Sequence, residues 1–264
     1  MSNASSNTPA ILKKTKPTIK PWGIAAALIV VLPGFVMAQV IAQTIVSFIP
    51  SILGWNNYQA AQWVANAPLA NFIYVLLAES LIIGLVVWFI RFKKSTMQEA
   101  ISLRRPKWLD GKAAILGFLC YIVIYAAVLI VVGELVPINT SQEQAVGFAH
   151  TVRGVGLIMA FISLVILPPI VEESVFRGFL YGTLRRRNVS FLWSTIAVSA
   201  VFGSMHLFGG SGGSLIWVAF LDTFVLSLAL CYLREKTGSI WASMGVHALK
   251  NAIVFVNLFI ISSR

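Results

Sequence analysis

Acidic residues are scarce in this chain: nine Asp and Glu in 264 residues, against 20 Lys and Arg. Charged side chains reach only 11% and hydrophobic ones 58%, so too little polar surface exists to coat a soluble domain, and that class is excluded. Only two cysteines are present, Cys120 and Cys231, both inside apolar stretches. They imply no disulfide framework and read as small hydrophobes. No internal repeat or soluble domain stands out, and no matched pair of interrupted halves suggests a transporter.

What the chain has is long apolar runs. Its mean hydropathy is +0.85, and seven stretches are apolar enough to span a bilayer, at roughly 23–49, 71–92, 113–136, 154–184, 190–207, 215–233 and 241–261. The expected fold is therefore all-α, a polytopic transmembrane helix bundle of about seven spans with its active site inside the bundle. Residues 1–20 read as a disordered basic tail, 21–150 as N-terminal transmembrane helices and 151–264 as the catalytic core. The first run is too long for a signal-peptide core and lacks a small-x-small cleavage site. It reads as a retained helix interrupted by Pro33.

A net charge of +11 raises nucleic acid as a partner, but the distribution argues against it. Lys13, Lys14, Lys16 and Lys20 precede the first run; Arg91 to Lys112 supply seven cations between the second and third; Arg185 to Arg187 follow the fourth; Arg234 and Lys236 follow the sixth. The alternate loops hold almost none. That is the positive-inside pattern of a multi-pass cell-membrane protein, with a cytoplasmic N-terminus and, for seven spans, Arg264 outside. The expected partners are the lipid bilayer, with anionic lipid near the basic loops, and no nucleic acid; oligomeric state is not encoded legibly, Gly178-x-x-x-Gly182 being a weak dimerisation motif. Residues 56–67, with Tyr58 and Trp63, read as an outer loop at the aromatic interface. Residues 94–110 read as a basic interfacial helix on the cytoplasmic side.

Ionisable groups inside such runs are expensive and mark function. The segment Glu172-Glu173-Ser174-Val175-Phe176-Arg177 places three of them in the fourth run. At helical spacing Glu173 and Arg177 share a face, while Glu172 points about 100° away. The first two read as a supporting ion pair. An acid without a local partner suits a proton-exchanging task, and that acid is Glu172. His206 ends the fifth run, one turn after Phe202. His247 and Asn251, four apart, project from one face of the last. Glu79 and Asp222 are isolated in sequence and read as helix-packing or cavity-lining residues.

Glu172-Glu173-x-x-x-Arg177, Phe202-x-x-x-His206 and His247-x-x-x-Asn251 together resemble the three motifs of the CPBP family of intramembrane proteases, also called the Abi or CAAX-protease family. The turn Thr237-Gly238-Ser239-Ile240-Trp241 looks similar to the family as well, and the resemblance covers roughly residues 154–258. Asp222, Thr223 and Ser227 depart from it, standing where relatives often have glycines. The resemblance implies an endopeptidase acting on protein or peptide substrates in or near the membrane. Glu172 and His206 would activate water, His247 and Asn251 would stabilise the oxyanion, and Glu173, Arg177 and Phe202 would support the fold. The family is associated with bacteriocin self-immunity too, so a non-catalytic immunity or scaffold protein is the reading from another class. No cofactor is expected; zinc held by Glu172, His206 and His247 is the rival mechanism, although H-E-x-x-H spacing is absent. One geometric difficulty attends the assignment. At about 1.5 Å per residue, Glu172 lies ~20 Å, His247 ~14 Å and His206 ~25 Å from the basic boundary, yet they must meet.

Overall fold

The computed structural model describes residues 22–136, 139, 142, 146–208 and 214–262. The basic tail and Arg264 lie outside the described residues. In chain order the helices are α1 (Ile24–Ile52), α2 (Asn57–Asn66), α3 (Pro68–Phe92), α4 (Met97–Ile101), α5 (Trp108–Leu135), α6 (Val155–Arg186), α7 (Phe191–Met205), α8 (Trp217–Thr237) and α9 (Trp241–Ile261). No strand occurs among the described residues.

Six helices, α1, α3, α5, α6, α8 and α9, are long and apolar enough to cross a membrane. The fifth expected span is shorter. Helix α7 has 15 residues, about 22 Å at 1.5 Å per residue, against a hydrocarbon core of about 30 Å. Its start is fixed by Ser190, whose hydroxyl accepts the Trp193 N–H, and the helix gives out at His206, inside the bundle. The chain then turns back: the Ile216 N–H donates to the Leu207 carbonyl at 2.8 Å, and α8 runs down against α7.

Helix α6 is the axis of the bundle. From Val171 to Leu184 every residue is buried, the charged ones included, because α1, α3, α4, α7, α8 and α9 all pack on it. Phe176, Phe179, Leu180 and Tyr181 carry the apolar part of that core. Outward faces of α1 and α5 present Ile29, Val36, Ile115, Val123 and Ile130. In water such a surface would be costly; against lipid tails it is at home.

The basic loops gather at one end. There the Trp22 indole donates to Thr183 at 2.7 Å, the Arg187 Nε to the Trp22 carbonyl, and Arg185 pairs with Glu235 at 2.8 Å. Arg104 forms a two-pronged pair with Asp110 (2.8 and 2.6 Å). The Trp241 indole donates to the Arg104 carbonyl, so the basic connector is stapled to the start of α9.

Two connectors differ from expectation. Residues 57–66 form helix α2, because Asn56 and Gln59 make a reciprocal capping box; Trp55 and Trp63 meet edge to face. The 94–110 connector, expected as an interfacial helix, is largely exposed and helical only in part. Only one helical turn forms, α4, begun by Thr96, and its Ala100 and Ile101 are fully buried. Ile101 presses on Gly178: a Cβ there would stand 2.6 Å from Ile101 Cβ and 3.0 Å from its carbonyl oxygen. Gly182 lies against the Ala100 carbonyl. The small-residue pair that suggested dimerisation is thus consumed within the chain.

A side chain at 178 has no room to relax, because the obstacle includes backbone. Gly178→Val is expected to cost about 1–3 kcal/mol through overpacking, read as a lower melting temperature in detergent. Gly84→Ala, where a Cβ meets nothing within 4 Å, should not lower it.

Candidate functional site

Proline shapes the site from within α6. Pro168 and Pro169 follow a widened, π-type stretch at Ile162–Ile166, and a second such stretch covers Glu173–Leu180. The Leu164 carbonyl faces Pro168 at α spacing and Pro169 at π spacing. Neither residue has an N–H to give, so that carbonyl is orphaned by the sequence itself. Asn251 of α9 supplies the missing donor: its Nδ2 reaches Leu164 O at 2.9 Å. Bilayers tolerate broken helices only where a neighbour satisfies the freed groups, and Asn251 does so here. One amide hydrogen of Asn251 is committed to this bond and one remains.

The two adjacent glutamates part company as their helical phase predicts. Glu173 turns into the core, where its Oε1 accepts from Arg177 Nη1 at 2.9 Å; both side chains are wholly buried. The same oxygen lies 3.1 Å from His247 Nδ1. Arg177 also stacks on the Phe202 ring, 4.3 Å from its centroid. Phe202 is in turn enclosed by Phe176, His206 and His247, with ring centroids 5.1, 4.8 and 5.9 Å away. Glu172 faces the other way. Its Oε2 is buried without a hydrogen-bond partner and stands 3.8 Å from His247 Nε2.

The histidine rings are oriented through Nδ1. That of His206 lies 2.9 Å from the Phe202 carbonyl, which can only accept, so Nδ1 carries the proton and Nε2 is the basic nitrogen. The partner, not an observed hydrogen, assigns this tautomer.

Glu172, His206, His247 and Asn251 all line one cavity of about 620 Å³. Its lining combines aromatic side chains, Phe35, Phe148, Phe176, Phe208 and Phe255, with polar ones that include Gln39, Tyr74 and Ser163. The differing depths counted from the sequence are reconciled: α7 stops short at the cavity, and α9 enters it within two turns.

Sequence reasoning left parts of this site unassigned. Glu79 and Asn71 of α3 line the cavity, and Glu79 Oε2 and Asn71 Nδ2 are buried without partners. Glu79 was expected to pack or line a cavity, and it lines this one. The bond from Glu173 to His247 makes Glu173 more than the partner of Arg177; no spacing within one helix reveals a contact across 74 positions. Lys250, one turn from His247, also faces the cavity.

Among the described residues no group of three or more His, Cys, Asp or Glu side chains could hold a metal ion. In the set proposed from sequence, the Nδ1 atoms of His206 and His247 are engaged by Phe202 and Glu173, which leaves both Nε2 atoms to the cavity.

Arg177→Met would strand the Glu173 carboxylate in the core. Removing one partner of a buried pair typically costs 3–5 kcal/mol, so the expected result is a much smaller monodisperse peak on size exclusion in detergent. Adding Glu173→Gln to Arg177→Met should recover part of that peak, since no stranded charge is left.

Three kinds of comparison bear on this arrangement. Residues 154–253 match the family model described as type II CAAX prenyl endopeptidase Rce1-like. The uncharacterized protein YyaK of Bacillus subtilis (strain 168) is 29% identical over 145 residues, 54% of this chain and 46% of that protein. The UPF0177 protein YaiH of Lactococcus lactis subsp. lactis (strain IL1403) is 24% identical over 208 residues, 78% of this chain and 77% of that protein. The chain thus spans less than half the length of the first relative and about three quarters of the second. No solved structure matches.

Proposed function

We propose that this chain, whose residues 154–253 match the family model described as type II CAAX prenyl endopeptidase Rce1-like, is an intramembrane endopeptidase of the glutamate type. The observation that carries the reading is the convergence of Glu172, His206, His247 and Asn251, from three helices, on one largely apolar cavity. A bilayer protein does not bring four such groups together without a task.

Hydrolysis runs as follows. Glu172 acts as the carboxylate: its Oε2, which makes no hydrogen bond within the protein and stands 3.8 Å from His247 Nε2, takes a proton from water as the water oxygen adds to the scissile carbonyl carbon. The carbonyl π electrons move to oxygen, which becomes an oxyanion. Asn251 offers it the amide hydrogen not spent on Leu164. His247 in its protonated form donates from both nitrogens, from Nδ1 to Glu173 and from Nε2 to the oxyanion. Collapse of the intermediate breaks the C–N bond, and the leaving nitrogen receives the proton held by Glu172, with the Nε2 of His206 as the second site that relays it. The apolar part of the lining lowers the local dielectric, which strengthens each of these interactions. It also suits an apolar, membrane-associated peptide.

Glu172→Gln and His206→Ala should each remove cleavage products from the membrane and secreted peptides of expressing cells, with protein levels near wild type. Identical peptide profiles in wild type and Glu172→Gln would refute the protease reading. Purified enzyme is expected to resist chelators; stoichiometric zinc together with chelator-reversible activity would overturn the metal-free mechanism.

The basic end of the bundle is the cytoplasmic one in this reading, in the cell membrane, with the N-terminus inside and the C-terminus outside. In a background lacking Cys120 and Cys231, a cysteine at Lys94 should be labelled only from the cytoplasm and one at Ser51 only from outside. The reverse pattern would invert the topology.

A further inference from the structure

Lys250 belongs to none of the three motifs, yet it lines the same cavity as Glu172, His206, His247 and Asn251. Its Nζ lies 3.1 Å from Asp222 Oδ2 on α8. The other oxygen of Asp222 accepts from the Tyr121 hydroxyl on α5. A side chain from each of three helices therefore fixes one ammonium group at the wall of the cavity.

The pair differs from the supporting ion pair nearby. Glu173 and Arg177 are sealed at 0% side-chain exposure, whereas Lys250 and Asp222 keep 21% and 19%. An ammonium has three N–H donors, and Asp222 Oδ2 accounts for one. Lys250 is one turn from His247 on α9 and shares the cavity with Glu172 and His206. Meanwhile Asn251, the expected oxyanion donor, has one hydrogen tied to Leu164. Negative charge developing in this cavity thus meets one free amide hydrogen, one histidine and a fixed cation.

We propose that Lys250, positioned by Asp222 and Tyr121, is the cation that takes the negative charge developing on the substrate's scissile carbonyl oxygen. This rests on the endopeptidase reading and adds to it a residue from outside the motifs. Preorganised cations aimed at developing charge act in the transition state far more than in the ground state. Asp222 and Tyr121 are positioning residues: they hold the ammonium without touching the peptide.

Two non-cleavable probes isolate the effect. One is an apolar Leu/Ala peptide carrying an anionic phosphinate in place of one peptide bond; the other is the same peptide with an uncharged hydroxyethylene group there. Binding is measured by thermophoresis on the detergent-solubilised full chain. Wild type should prefer the phosphinate. Lys250→Met should lose on the order of 10–100-fold in phosphinate affinity, the range of a charge-assisted hydrogen bond, with hydroxyethylene binding unchanged. Lys250→Arg should retain most of the preference. If Lys250→Met folds poorly because Asp222 is left unpaired, the double variant Lys250→Met/Asp222→Asn removes both charges and gives the same readout.

The proposal is overturned if wild type shows no preference for the phosphinate, if Lys250→Met keeps it, or if both probes weaken alike, as a purely structural pair would require. Failure of the two readings is distinguishable. A Lys250-dependent phosphinate preference in a protein whose peptide profile is unaltered by Glu172→Gln would leave the anion site standing and sink the protease. Glu172-dependent cleavage without that preference would do the opposite.

Discussion

A carboxylate withdrawn from water must be neutralised by what surrounds it, and Glu173 is withdrawn completely. One of its oxygens meets both Arg177 on its own helix and His247 on α9. Arg177 in turn lies on the face of Phe202 from α7, and Phe202 packs against both histidines. This buried carboxylate therefore ties α6, α7 and α9 together. Every candidate catalytic group depends on that arrangement. Glu172 is free to face the cavity because its neighbour in sequence faces, and is held by, the core.

A second constraint comes from the medium. Lipid cannot hydrogen-bond a stray carbonyl, so a double proline within a spanning helix demands a donor from elsewhere. Asn251 meets that demand at Leu164, which couples the kink in α6 to the register of α9. The same residue thereby carries a structural duty and keeps one hydrogen for chemistry. Polar groups at this depth are too costly to serve one purpose where two are within reach.

Much of this was legible along the chain. Hydropathy located the helices, since only backbone that satisfies itself can cross lipid. The helical period separated Glu172 from Glu173 and paired the latter with Arg177, because both relations lie within one turn of one helix. Other features were misread for equally local reasons. Asn56 and Gln59 carried a capping box that composition alone passed over, so α2 was expected as a loop. The basic connector was expected as one interfacial helix, whereas it forms a single turn, α4, whose Ala100 and Ile101 are buried while its flanks stay exposed. Gly178 and Gly182 suggested a partner outside the chain, while the partner is α4.

The sequence by itself determined the class of fold, the span positions to within a few residues, and the four ionisable or polar groups worth watching, since each follows from periodicity or from the cost of charge in an apolar run. Tertiary structure alone decided which of those groups meet. The bond from Glu173 to His247, the cap that Asn251 places on Leu164, the opening of Glu79 onto the cavity and the tether of Lys250 to Asp222 all join helices remote in sequence. Spacing along one helix fixes direction only relative to that helix; the angle and depth at which two helices pack follow from the side chains between them.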